Sequence, residues 1–286
     1  MEKSCSVIQL LNISALVAIM LLAGLRVTVV DLISSIQQRQ TLLWGLVANY
    51  LLVPVLTVGL LCAFHANPMV SMGFLILAVC PGAPVGAPLT DIAKGSVPLA
   101  VGLMIILAAS SVVLSPILLM FLSSQLSLPP DLHIDYPGII KTLLVAQLLP
   151  LGTGLCMRHW LPQFSKALIK PLAVLSLLLL VAVVVLVLVT QSEILAVFRL
   201  KGWIGMILLL SLSLTTGWLC GGKDRTTQKT VALVTASRNA GVGLVIALTN
   251  FSGTPAVASV VVYTLFSIVA SLLLAIALRR GGVAPG

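Results

Sequence analysis

The stretch ILAVCPGAPVGAPLTDIAKG, residues 76–95, carries Pro81, Gly82, Pro84, Gly86 and Pro88 within eight positions of an otherwise apolar run. A continuous helix there would lose backbone donors at three prolines, and each proline ring would clash with the turn before it. The helix must break. A second stretch, TVALVTASRNAGVGLVIALTN at 230–250, sets Ser237, Arg238, Asn239 and Gly241 in the middle of an apolar run. A guanidinium at the centre of a membrane helix costs at least about 2.5–3.5 kcal/mol on insertion scales, so something must compensate it. In hydrocarbon, a broken helix is tolerated only where it is buried in protein or lines a polar cavity, so both stretches point to a site near the membrane midplane.

The rest of the chain supplies the membrane protein that these breaks require. Of 286 residues 59% are apolar and 8% charged, against roughly 45–50% and about 25% in soluble domains. The formal charge of +9 is spread singly between apolar runs, which argues against nucleic acid, where a basic stripe is needed. Apolar runs of membrane-spanning length lie at 7–25, 43–63, 70–93, 97–122, 139–157, 168–190, 201–220, 230–250 and 256–278. Such spans take about 20 residues each, which leaves no region outside the bilayer long enough for a domain of its own. The reading is one transmembrane domain over 1–286. Val7–Leu25 is longer than a signal-peptide core and ends without a cleavage pattern, so it reads as the first span.

Most of the 16 basic residues fall in one set of connections, and the opposite set holds only Lys3, Lys141, Arg199 and Lys201. Basic residues are retained on the cytoplasmic side, so the N-terminus is expected outside and the C-terminus in the cytoplasm, of a plasma membrane or bacterial inner membrane. Ser123–Gly138, with Asp131, His133 and Asp135, reads as an outer loop. Every histidine falls at or beyond a membrane boundary, and the five cysteines have no CxxC spacing. No metal site, disulfide framework or cofactor is indicated. An intramembrane enzyme would need paired acids, a nucleophile–base couple or a metal cluster at depth, and none is offered.

The two interrupted runs are the third and the eighth of nine. If runs 5–9 form one unit, about 139–278, and runs 1–4 a matching unit lacking its first helix, about 1–122, the odd offset inverts one unit relative to the other. Inverted repeats with corresponding Gly/Pro-interrupted segments mark the binding site of secondary transporters. Opposed half-helix N-termini would present positive dipole ends and favour an anion. The residues alone therefore read as a secondary active transporter of a small organic anion working by alternating access, with that anion and the lipid bilayer as partners.

CPGAPVGAPLTDIAKGSVPLAVGL (80–103) and ASRNAGVGL (236–244) resemble the bile acid:sodium symporter family, as do MLLAGLRVTVVDLISSIQQRQTLLWGLVANYLLVP (20–54) and KTLLVAQLLPLGTGL (141–155). The resemblance covers nearly the whole chain. It implies an all-α fold of ten helices in two inverted repeats, with a core domain holding two broken, crossing helices and a panel domain that moves against it. Human-type members lack the first helix and have nine. On that mapping the core is 43–122 and 201–278, and the panel is 7–25 and 139–190.

The departures from the family pattern bear on coupling. Where sodium-coupled members have a Ser-Asn pair at the first crossover, this chain has Gly86 and Ala87. Further family hydroxyls fall at Ala100 and Met104, the glutamate shared by both sodium sites falls at Val234, and the Gln before the second crossover Asn becomes Arg238. That Asn is retained as Asn239, and a family Gln on the second segment corresponds to Asn49. A hard cation needs several oxygen ligands, and most of those side chains are absent.

The expected substrate-binding residues are thus Arg238, Asn239, Ser237, Gly82, Ala83, Gly86 and Asn49, with Pro81, Pro84, Pro88 and Gly241 breaking the helices. Arg238 would supply the positive charge that Na+ supplies elsewhere and bind a carboxylate or sulfonate bidentately. Its bland reading is an internal counter-ion, or a partner of backbone carbonyls. Asp91 is either a proton or ion-pair site for Arg238 or an interfacial charge. The competing functions are a sodium-coupled symporter or exporter of the same family, and a non-transporting membrane receptor.

Overall fold

A computed structural model describes residues 2–65, 67–126, 134–190 and 200–280; Asp131 and His133 of the expected outer loop lie outside the described residues. Among the described residues every regular element is a helix. The first half contains α1 (Glu2–Arg26), α2 (Val29–Ile36), α3 (Arg39–Phe64), α4 (Pro68–Ala78), α5 (Gly86–Ile92) and α6 (Val97–Ser123). The second half contains α7 (Tyr136–Trp160), α8 (Pro162–Thr190), α9 (Leu200–Cys220), α10 (Arg225–Ala236), α11 (Ala240–Asn250) and α12 (Pro255–Arg280).

Eight stretches among these are long and apolar enough to cross a membrane, Arg225–Asn250 counting as one although it is interrupted at 237–239. The apolar run 70–93 is absent from that set because its break divides it into α4 and α5, each too short to cross alone. The connection after α1 holds the short helix α2, whose capping box pairs Thr28 with Asp31 and whose Ser35 hydroxyl donates to the Pro98 carbonyl at 2.6 Å. Pro54 and Pro150 each follow one turn of π-helix, Ala48–Leu52 in α3 and Leu144–Leu148 in α7. A widened turn accommodates the hydrogen bond that each proline cannot donate.

Polar caps start the helices that their sequences announce. Asn67 accepts from the Met69 N–H at 2.9 Å ahead of Pro68, and Asp135 accepts from the Gly138 N–H at 2.9 Å. Asp224 accepts from the Thr227 N–H at 2.8 Å and the Thr227 hydroxyl at 2.9 Å, and these bonds hold its carboxyl below the usual carboxylate range. Lys229, placed by its sequence in an inner connection, is instead inside α10 and buried, its Nζ donating to the Ala93 carbonyl at 3.2 Å.

Burial sorts the helices by surroundings. Only 17% of the most apolar stretch of α8 is buried in protein, against 94% for Arg225–Asn250, so α8 offers its Val/Leu surface to lipid while the second break lies in the interior. α1 packs against α7 and α8 and reaches α11, whereas α4 packs against α12, and α10 against α9, α5 and α6. Contact between α1 and α7 depends on small residues: a Cβ at Gly24 would stand 2.9 Å from Gly154 Cα, and one at Gly154 would stand 3.0 Å from Gly24 Cα. Close backbone approach of this kind drives helix association in membranes. Gly154→Ala should therefore destabilise the protein by about 1–3 kcal/mol. Gly152→Ala, a site with open space around it, should leave the melting temperature in detergent unchanged.

Candidate functional site at the crossing of two broken helices

The first break begins at Val79, which caps the C-terminus of α4, and runs to Val85, ahead of α5. Pro81 lies in it and Pro84 in the turn that closes it, where the Gly86 N–H donates to the Ala83 carbonyl at 3.1 Å. Pro88 lies inside the first turn of α5, the second half-helix, where its missing N–H has no intrahelical partner to lose. Gly82 has φ +83, and a Cβ on it would be 2.7 Å from the Ala108 nitrogen of α6, so both backbone conformation and space require glycine.

The second break is the tripeptide Ser237-Arg238-Asn239, buried between α10 and α11. Gly241 is not part of it. It sits in the first turn of α11, where a Cβ would be 3.0 Å from Leu16 Cδ1, so its lack of a side chain serves the packing of α1.

The two breaks meet, as an accounting of the carbonyls from the end of α4 into the break makes plain. A helix C-terminus leaves four carbonyls without intrahelical partners. The Leu77 carbonyl accepts from the Cys80 N–H at 3.1 Å and the Val79 carbonyl from the Ser115 hydroxyl of α6. The Ala78 carbonyl accepts from Arg238 Nη1 at 3.2 Å, and the Cys80 carbonyl from the Asn239 N–H at 2.8 Å. The second break therefore caps the first.

Arg238 has two further bonds, Nη1 to Asn49 Oδ1 and Nη2 to Ser213 Oγ, both at 3.4 Å. Asn49 sits in the π-turn of α3, with its Nδ2 donating to the Gly45 carbonyl at 2.9 Å and to Thr235 Oγ1 at 3.0 Å. Every acceptor of the guanidinium is neutral, and among the described residues no carboxylate pairs with it. Its bonds are long for N–H···O geometry, and Nε is buried without a partner. The compensation for the buried charge comes instead from the α4 C-terminus, the negative end of that half-helix.

Asn239 caps α11 by accepting from the Val242 N–H at 3.3 Å, leaving its Nδ2 buried and unpartnered. The Ser237 hydroxyl donates back to the Leu233 carbonyl at 2.7 Å. Asp91 is exposed near the end of α5 and is not among the partners of Arg238.

Four of the positions at which the family resemblance places sodium ligands, Gly86, Ala87, Ala100 and Val234, come together, but as an apolar contact. A Cβ at Gly86 would stand 3.3 Å from Val234 Cγ2. Val234 and Ala100 belong to one buried cluster with Leu99, Leu103 and Leu107, against which Ala87 packs.

The stretch 13–198 matches the sequence profile of the sodium bile acid symporter family and includes the first break. The chain belongs to that family. It is a multi-pass integral membrane protein of a family of transporters, not of enzymes. It is 26% identical over 242 residues to an uncharacterized sodium-dependent transporter of Bacillus subtilis (strain 168), covering 83% of this chain and 74% of the relative. It is also 26% identical over 204 residues to a sodium-dependent organic anion transporter of Rattus norvegicus, and over 161 residues to a probable chloroplastic sodium/metabolite cotransporter of Oryza sativa subsp. japonica. Those matches cover 68% and 56% of this chain but only 53% and 37% of the two relatives.

Several polar residues at or near the crossing escape the sequence reading: Ser213, Ser115, Thr235, Asn12 and Gln147, together with Tyr263, whose hydroxyl is buried without a partner. Asn12 and Gln147 are each signalled only by a single amide inside an apolar run, LLNISALV and LLVAQLLP, and the four hydroxyl residues by nothing that sets them apart from the other hydroxyls of the spans.

Gly82→Ala should cost more than about 2 kcal/mol in stability, since it adds backbone strain to a backbone clash. At Gly86 the one tight contact of an added Cβ is the Val234 Cγ2 side-chain atom at 3.3 Å, the Val234 Cα standing at an ordinary 3.5 Å, so Gly86→Ala should fold normally, as thermal unfolding in detergent would report.

Proposed function

We propose that this member of the symporter family carries a small organic anion by alternating access, with Arg238 providing the positive charge that a coupling cation provides in sodium-dependent relatives. One observation supports this above the others. The guanidinium donates to the Ala78 carbonyl at the C-terminus of α4, the kind of half-helix end that coordinates coupling cations in broken-helix transporters. The neighbouring positions where side-chain ligands would be needed are Gly86, Ala87, Ala100 and Val234, with no side-chain oxygen among them.

The anion is drawn to the other side of the crossing, where α5 and α11 begin with their positive ends and Asn239 keeps a free amide donor. Bidentate contact with Arg238 requires exchange of its bonds to Asn49, Ala78 and Ser213, which are long enough to be exchanged at little cost. In this reading α1, α7 and α8 form the panel and the remaining spanning helices the core, and the N-terminus faces outward.

Uptake into proteoliposomes tests the proposal. Arg238→Gln should lower uptake of organic anions by about a hundredfold or more, and Arg238→Lys, which keeps the charge but loses the planar fork, by about tenfold. Unchanged uptake of every anion in both variants, with unchanged melting temperatures, would refute the role of Arg238.

A further inference from the structure

Two buried amides reach the crossing from helices outside it. Asn12 of α1 is 1% exposed and Gln147 of α7 is 0% exposed. Asn12 Nδ2 donates to the Gly241 carbonyl at 3.4 Å. Gln147 Nε2 donates to the carbonyl of Ala108, the residue against which Gly82 turns, and to Ser111 Oγ at 2.9 Å. These contacts fix the orientation of each amide, because turning it over would set its oxygen against a carbonyl oxygen. Each amide then retains one oxygen that is buried and has no partner.

Asn239 shows the complementary arrangement: its oxygen is engaged by the Val242 N–H and its Nδ2 is the orphan. Asn12 and Asn239 rest on consecutive residues of the first turn of α11, Gly241 and Val242, and a Cβ on Gly241 would be 3.6 Å from Asn239 Oδ1. An unpartnered acceptor from α1 and an unpartnered donor from the break therefore flank the same positive helix end. Buried polar atoms are almost always hydrogen-bonded, and exceptions call for a ligand or another partner. A bare anion has only acceptors, so it can satisfy Asn239 Nδ2 but neither amide oxygen.

We infer that Asn12 and Gln147 are specificity-determining residues, which select an organic anion carrying its own hydrogen-bond donor close to the charged group. The anionic group accepts from Asn239 Nδ2, and the substrate's hydroxyl or amide N–H donates to Asn12 Oδ1 or Gln147 Oε1. This inference rests on the anion-transport reading above and adds the chemical class of the substrate. A site built around a substrate hydroxyl discriminates strongly against the analogue lacking it, because its own polar groups are then left unpaired.

The test is proteoliposome uptake of matched labelled pairs: 2-hydroxyisovalerate with isovalerate, and 2-hydroxyethanesulfonate with ethanesulfonate. Both sulfonates stay ionised at any working pH, so passive leak of a neutral acid does not obscure them. The hydroxylated member of at least one pair should be taken up about tenfold or more faster. In Asn12→Leu or Gln147→Leu that ratio should fall toward one. A ratio near one for both pairs in the unaltered protein overturns the inference, and so does a ratio unchanged in both variants or an equal loss of both members. The ratio in the unaltered protein is decisive by itself, so a variant that fails to fold does not shelter the idea. Anions carried without preference sink only the specificity role, whereas absence of uptake for all four sinks the anion-transport reading beneath it.

Discussion

Arg238 keeps its charge inside a membrane-spanning bundle, where a guanidinium without compensation costs several kcal/mol. The surrounding structure supplies that compensation with neutral groups: a carbonyl that only an interrupted α4 exposes, an amide from the π-turn of α3 and a hydroxyl from α9. Four helices are thereby tied at one point. Were α4 continuous, the Ala78 carbonyl would be spent inside the helix, so the proline-rich break and the buried arginine belong together. The Asn239 N–H bond to the Cys80 carbonyl completes the link between the breaks.

Charge at the crossing divides by helix ends. The α4 C-terminus is its negative side and holds a cation that is part of the chain. The starts of α5 and α11 are its positive side, where Asn239 offers a donor. In a family of sodium symporters, a covalently attached cation changes the energetics of coupling. On the proposed reading, a bound Na+ comes and goes with its gradient, whereas the guanidinium stays and would favour anion binding without drawing on that gradient. The filling of the neighbouring space by Val234, Ala87 and Ala100 fits the same trade, since a site without an ion has no use for ligands there.

Both breaks are legible in the sequence because their signals are local. Three prolines in eight residues prohibit a helix, and Ser-Arg-Asn in an apolar run demands polar company. The apolar runs locate the spanning helices to within a few residues, although α2 is too short for such a reading and the π-turns before Pro54 and Pro150 leave no trace in hydropathy. Composition alone puts Gly241 at the break, yet its role is to admit Leu16 of α1, a contact between residues far apart in the chain. The partners of Arg238 are illegible for the same reason. Ser213, Asn49 and the Ala78 carbonyl converge only once the crossing angle of the helices is set. Asn12 and Gln147 look like the many intramembrane amides that merely bond a neighbouring helix, and only their unpaired oxygens set them apart.

The central claim is that the cation of this transporter is built in. Its most direct test is a count of sodium ions carried per organic anion, by tracer flux into proteoliposomes of the unaltered protein, alongside uptake with Na+ replaced by choline at fixed pH. The account predicts anion uptake that survives the replacement and no sodium flux coupled to it. Uptake that collapses in choline and carries one or more sodium ions per anion would contradict it, and would return Arg238 to a purely structural role.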